Sequence, residues 1–197
     1  MHGPLALPDT YRVRVTADGQ AQEASFSLAA DPRSNATAAD LTAQFELAQR
    51  INERVSEAHD AVVKIRHVKA QIDDRTKQAG DASLKADAEA LKQKLTDVEG
   101  AIYQYRLKSN QDALNYGIRL NNKLAALQNV VESGDGRPTA QSEAVFKELS
   151  ASLDKQLRQL QTLINGDLTA FNQALGRHDL DAVAAIAPPE GGSEKQP

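Results

Sequence analysis

The chain has 197 residues, enough for one large domain or for a domain with appendages. Its 23 basic and 27 acidic residues are spread along it, and no sustained basic face indicates nucleic-acid binding. The absence of cysteine excludes disulfides and thiolate metal sites, and no apolar run approaches the length that a membrane span needs.

Residues 9–30 alternate between apolar and polar side chains, as β-strands do. Residues 11–15 and 24–28 follow this period of two, and Asp18-Gly19 between them is a typical hairpin turn. Because two strands alone are marginal in water, we expect residues 1–33 to be the end of a β-domain whose other strands are missing. The alternative is a hairpin folded onto the end of the helices.

A long helix is predicted after this hairpin. Thr37 and Asp40 have the spacing of a capping box, and apolar residues then recur at steps of three and four from Leu41 to Ile72. The mean step is close to 3.5, so we predict one helix over about residues 38–77 with a coiled-coil-like seam. Gly80 is expected to end it in the left-handed conformation, and Asp81 to cap the next helix.

Three more helical segments have similar seams. The second segment starts near residue 84, and Tyr105 is the last residue of its seam. This helix is expected to end within residues 107–110. The third follows an irregular joint and ends near residue 132. A turn follows, in which Gly136 is expected to have positive φ. The fourth segment then has Pro138 in its first turn, and it can kink at Asn165-Gly166.

The lengths of these segments suggest how they stack. Segments two and three together span about 64 Å, and segments one and four span about 60 and 57 Å. We therefore predict a mainly α fold: an elongated antiparallel bundle of three rods over residues 37–178, with the middle rod broken at 109–115. A four-helix up-down bundle is the alternative. Residues 179–197 are predicted to be a disordered tail.

No phosphate-binding glycine loop, nucleophile elbow or zinc motif is present, so we predict no catalytic, cofactor-binding or metal-binding residue. His59 and His67 are eight residues apart on one helix, too far for a shared metal, and are expected on its flanks. One cluster of aromatic and arginine residues at the joint either holds the joint closed or contacts a partner. It comprises Tyr103, Tyr105, Arg106, Tyr116 and Arg119.

Three stretches together resemble a known family: LPDTYRVRVTADGQ, ADLTAQFELAQRINERVSEAHDAV and LNYGIRLNNKLAALQNVVESGDGRPTAQSEAVFKELSASLDKQL. Over residues 5–177 the chain is similar to the C-terminal region of large bacterial proteins with sortilin-type β-propellers, described as BNR/Asp-box-repeat or glycosyl-hydrolase-like proteins. In that family a propeller is followed by an immunoglobulin-like β-domain and then by a helical end.

The resemblance implies that residues 1–33 are the last strands of the Ig-like domain and that the other domains of the parent chain are partners. It also implies an extracytoplasmic location. Because the propeller is absent here, no catalytic residue is carried over.

We therefore expect a non-catalytic structural or interaction module, with a possible protein partner but no nucleic-acid partner and no membrane insertion. One alternative is a self-associating coiled coil, which light scattering would distinguish from a monomer of 21.3 kDa. A second alternative is a small carbohydrate-active enzyme. Such an enzyme would need two carboxylates about 5–10 Å apart across a cleft.

The far-UV circular dichroism spectrum is expected to show more than about half helix, because the predicted helices cover most of the chain. A measured helix content below about half would contradict the mainly α prediction.

Overall fold

The computed structural model describes residues 2–107, 109 and 111–185. A 3-10 turn at Asp112–Leu114 and a π-helical turn at Ile164–Leu168 accompany the regular elements. The prediction of a mainly α-helical bundle with an N-terminal hairpin is confirmed. In the described part of the chain the regular elements are β1 Asp9–Ala17, β2 Gln20–Leu28, α1 Ala38–Ala79, α2 Ala82–Ile102, α3 Leu120–Val131, α4 Ala140–Leu163 and α5 Thr169–Gly176.

The chain forms two compact units. One consists of the residues up to Glu53 together with Leu124–Lys147, and it contains the hairpin. The other consists of Arg54–Lys123 and the residues from Glu148 onward, and it contains α2 and α5. Helices α1, α3 and α4 contribute residues to both units.

Strands β1 and β2 form an antiparallel hairpin in which Tyr11 lies opposite Phe26. Asp18 and Gly19 have φ values of 50° and 76°, the left-handed conformation that a two-residue type I′ turn requires at both central positions. The predicted hairpin and its turn are confirmed. Both strands are longer than the predicted 11–15 and 24–28.

Most of the hairpin surface is exposed. The rings of Tyr11 and Phe26 stack with centroids 5.8 Å apart, yet Phe26 is 54% exposed. On the same face Val13 and Val15 are 46% and 62% exposed. Tyr11 is partly buried, and its hydroxyl donates to the backbone oxygen of Leu7 at 2.7 Å. The hairpin therefore has an apolar face that the described residues leave largely uncovered.

Thr37 and Asp40 form the predicted capping box at the start of α1. The Asp40 amide donates to Thr37 Oγ1 at 3.2 Å, and Asp40 Oδ2 accepts from the Thr37 amide at 3.1 Å. The hydroxyl and amide of Thr37, followed by the guanidinium of Arg137, hold the pKa of Asp40 below its usual value. Because the pKa of Asp40 is lowered, its ionised carboxylate stabilises the folded chain at pH values above the ordinary carboxyl pKa. This stabilisation is lost as the pH falls through the lowered pKa of Asp40.

The apolar seams predicted from the helical period form the core. On α1, eight of the ten predicted seam positions are buried, and Leu41 and Phe45 are half-buried. Leu47 and Ala61 are also buried, which makes the buried stripe wider than the period indicates. On α2 all the predicted positions within the helix are buried: Leu84, Ala88, Leu91, Leu95, Val98 and Ile102.

Helix α2 ends earlier than predicted. It stops at Ile102 and α3 starts at Leu120, so the break covers 103–119 where 109–115 was predicted. Tyr103 is already extended, with φ −132° and ψ 139°, although its amide still donates to the Glu99 oxygen at 2.7 Å. Because the helix has ended before it, Tyr105 is 41% exposed, and its predicted inward position is wrong.

The two predicted left-handed glycines differ in outcome. Gly80 has φ 64° and Asp81 Oδ1 accepts from the Leu84 amide at 2.7 Å, so this helix end and the next cap are confirmed. Gly136 does not have positive φ, and that prediction is wrong. A side chain of α1 satisfies the carbonyls there instead, since Gln44 Nε2 donates to the oxygens of Val131 at 2.7 Å and Gly134 at 2.6 Å.

The fourth segment is irregular where Asn165-Gly166 predicted a kink. Helix α4 is followed directly by the π-helical turn Ile164–Leu168 and then by α5. The backbone therefore stays helical through Asn165-Gly166, with a local π-helical turn.

The chain stays packed beyond α5, contrary to a disordered tail that starts at residue 179. Val183 is 3% exposed, its amide donates to Asn172 Oδ1 at 2.8 Å, and its oxygen accepts from Asn172 Nδ2 at 3.0 Å. The predicted tail is therefore wrong for residues 179–185. Its remainder, 186–197, lies outside the described residues.

Ile65→Ala is expected to lower the free energy of unfolding by about 2–5 kcal/mol, because Ile65 is fully buried on α1. Val63→Ala on the same helix is the matched control, since Val63 is 52% exposed, and should cost less than about 0.5 kcal/mol. Urea unfolding followed by circular dichroism measures both. Equal losses would mean that the seam is misplaced.

Candidate functional site

The chain between α2 and α3, residues 103–119, which we term the joint, is organised by the side chain of Gln104. This side chain is 4% exposed, its Nε2 donates to the Gly117 oxygen at 2.9 Å, and its Oε1 accepts from the Arg106 amide at 3.4 Å. One buried amide thus connects the start of the joint to its end. Within its described residues the joint is irregular apart from the 3-10 turn Asp112–Leu114.

Arg106 lies between two tyrosine rings. Its guanidinium carbon is 6.0 Å from the ring centroid of Tyr105 and 5.7 Å from that of Tyr116. These separations are in the range of cation–π contacts. Both rings are also exposed, by 41% and 36%, so the stacked group lies at the surface.

A cleft of about 300 Å³ opens beside Arg106. Gly100 lies on one side of it, and a Cβ at this position would be 3.2 Å from Tyr105 Cε1. The glycine therefore lets the Tyr105 ring approach α2 closely. The other residues that line the cleft are Thr96, Asp97, Ala101, Gln104, Arg106 and Arg119.

Tyr103 belongs to a neighbouring cluster. The Arg66 guanidinium lies 5.1 Å from the centroid of the Tyr103 ring, and Arg66 Nε donates to Glu99 Oε1 at 2.7 Å. Lys69 Nζ donates to the other oxygen of Glu99 at 2.9 Å, and Glu99 is 3% exposed. This cluster holds the C-terminal turn of α2 against α1.

The structure thus brings four of the five predicted residues to one surface and places Tyr103 beside it. The joint surface, as we term it, consists of Tyr105, Arg106, Tyr116 and Arg119 together with the exposed Leu114 and Ile118.

Three residues that shape this region were not predicted. Gln104 and Glu99 are polar and buried, and no periodic signal marks them, because Glu99 directly follows the seam residue Val98. Gly100 did have a signal. A glycine inside a helix costs about 1 kcal/mol relative to alanine, so it often marks a close contact.

The two histidines named in the sequence analysis, His59 and His67, lie on α1. His59 is exposed and its Nε2 is 3.5 Å from Asn121 Nδ2, and His67 is half-buried. Within the described residues there is no group of three or more His, Asp or Glu side chains placed to hold a metal. No described helix is both long and apolar enough to cross a membrane.

Gln104→Ala is expected to lower the free energy of unfolding by about 1–3 kcal/mol, because it removes the buried amide that binds both ends of the joint. The matched control is Gln93→Ala, where the exposed side chain makes only a surface hydrogen bond to Asp97 at 2.8 Å, and should cost less than about 0.5 kcal/mol. Urea unfolding compares the two. If both changes cost equally little, Gln104 does not hold the joint.

Comparison with known proteins identifies no relative of this chain. No protein-family model, no curated protein and no solved structure matches it.

Proposed function

We propose that this chain is a non-catalytic structural and interaction module, the C-terminal helical domain of a larger β-propeller protein of the glycosyl-hydrolase-like kind. The single observation that carries this proposal is the uncovered apolar face of the hairpin, where Val13, Val15 and Phe26 are about half exposed or more.

The hairpin has features of an incomplete sheet. Within the described residues β1 and β2 pair only with each other, so both outer edges have free backbone donors and acceptors. A two-stranded hairpin is marginally stable alone in water, whereas three or more strands with a covered face are stable. A preceding β-domain would supply strands for the edges and side chains for the apolar face.

The order of the elements also supports the proposal that the chain belongs to a larger β-propeller protein. In the family that the sequence resembles, an Ig-like β-domain directly precedes the helical end, and here the hairpin directly precedes α1. The connection between them is short and ordered, since Arg33 Nη2 donates to Asp31 Oδ2 at 2.7 Å and the Ser34 amide to the Asp31 oxygen at 3.0 Å. Such a connection suits a module held at a fixed place beside its neighbour.

The burial and the ion pairs of the helical side chains also support a structural role. Their large aliphatic side chains are mostly buried against one another, and the carboxylates that ion-pair on their surfaces hold elements together, as Asp154 does with Arg54. In the proposed parent protein, any glycosidase chemistry belongs to the propeller. Turnover of a glycan by this chain alone, abolished by substitution of one Asp or Glu, would contradict the proposal.

Val15→Thr is expected to change the free energy of unfolding of this chain by less than about 0.5 kcal/mol, because Val15 is 62% exposed. Val68→Thr is the matched control: the same chemical change at a fully buried position should cost about 1–3 kcal/mol. In a longer chain that includes the preceding β-domain, Val15→Thr should become costly as well.

Urea unfolding of the variants measures these differences, and light scattering follows self-association. A large loss for Val15→Thr in this chain as a monomer would mean that its own residues already cover the hairpin. The same loss accompanied by dimers would support the self-associating alternative.

A further inference from the structure

The joint is locally basic in an acidic protein. Residues 103–119 include Arg106, Lys108 and Arg119 against one acidic residue, Asp112, whereas the whole chain has a net charge of −4. Three of the four tyrosines of the chain also lie in this stretch. The joint therefore combines positive charge with aromatic side chains.

Arg106 and Arg119 differ from most other arginines of the chain. Most other arginines form ion pairs with Asp or Glu, for example Arg50 of α1 with Glu143 at 2.7 Å and Arg137 with Asp40 at 2.9 Å. Among the described residues, no ion pair within 4.0 Å includes Arg106 or Arg119. Both line the cleft beside Gly100, so two guanidinium groups without a described carboxylate partner face the same space.

We propose that the joint surface binds an acidic segment of a protein partner, with one carboxylate of that segment in the cleft between Arg106 and Arg119. An apolar side chain of the same segment contacts Leu114 and Ile118, which are 89% and 51% exposed. This assignment rests on the interaction role proposed above and gives it a partner of defined chemistry.

The geometry suits a carboxylate. A guanidinium group is a planar donor that binds carboxylate oxygens through two parallel hydrogen bonds. Stacking between Tyr105 and Tyr116 restricts Arg106 before the partner arrives, which reduces the entropy lost on binding. Tyrosine and arginine are also the residue types that most often dominate the binding energy of protein interfaces.

The charges of the cleft favour a carboxylate over a phosphate. Asp97 lines the cleft together with the two arginines, so the ionised groups there sum to one positive charge. That charge matches a singly charged carboxylate better than a doubly charged phosphate monoester. A nucleic acid is disfavoured because its affinity depends on many neutralised phosphates, whereas this protein is acidic overall.

Binding can be tested with the whole chain and short synthetic probes. The first probe is the acetylated and amidated peptide Glu-Glu-Leu-Glu-Glu, and the others replace every Glu with Gln or with phosphoserine. A single-stranded thymidine oligonucleotide completes the set. Amide chemical shifts locate the binding, and tyrosine fluorescence gives the affinity, since the chain has no tryptophan and most of its tyrosines lie in the joint.

The acidic peptide should shift amides of the joint and bind at least about tenfold more tightly than the Gln peptide, because charge-assisted hydrogen bonds are about twice as strong as neutral ones. The double variant Arg106→Gln with Arg119→Gln should lose at least about tenfold in affinity. Arg158→Gln is the matched control, since Arg158 is exposed in the same unit and no ion pair to a described residue includes it. It should keep the affinity of the unchanged chain.

Several results would overturn the proposal. They are the absence of shifts in the joint, equal binding of the Gln peptide, an equal loss in the Arg158 control, or tighter binding of the phosphoserine peptide or of the oligonucleotide. A circular dichroism spectrum of each variant confirms that it is folded. None of these results bears on the hairpin, so the Val15→Thr comparison tests the module proposal separately.

Discussion

The fold depends on the apolar packing of aliphatic side chains that are buried at every third or fourth position along the helices. Ile51, Ile65 and Leu95 are fully buried, and burying such a side chain contributes about 1.5–3 kcal/mol. Isolated helices are marginal in water, so most of the stability of α1 and α2 has to come from this contact. Caps and surface ion pairs add smaller contributions and set where each helix begins and ends.

Two regions outside this repeat, the hairpin and the joint, have large exposed apolar or aromatic side chains. The hairpin has the alternating pattern of a covered strand, but Val15 and Phe26 remain exposed. In the described part of the joint, the Gln104 side chain binds the Gly117 oxygen and the Arg106 amide, and Arg106 lies between two tyrosine rings at the surface. Among the described residues the apolar face of the hairpin is largely uncovered, and Arg106 and Arg119 of the joint form no ion pair within 4.0 Å, so the two regions are suited to different contacts.

Local patterns in the sequence were enough to predict the helices, the Asp18-Gly19 turn and the capping box at Thr37. They also indicated Tyr105, Arg106, Tyr116 and Arg119 as a cluster, but not the exposed Leu114 and Ile118. The errors came from contacts between distant residues. Where α2 ends early, Gln104 binds the oxygen of Gly117. Near Gly136, which does not have positive φ, Gln44 binds carbonyls 87 and 90 residues away. Asn172 similarly fixes Val183 beyond the last helix. A helical period contains no information about such hydrogen bonds.

The apolar seams of the helices are buried within this chain, whereas the described residues leave the apolar face of the hairpin largely uncovered. Hydrogen exchange of individual backbone amides, measured by NMR in the native state, tests this difference most directly. Amides of α1 and α2 beside Ile65 and Leu95 should exchange only through extensive unfolding, because those side chains are fully buried. Amides of β1 and β2 should exchange much faster, by local opening that does not depend on denaturant. Equal protection of the hairpin and the seams in this chain alone would contradict the account.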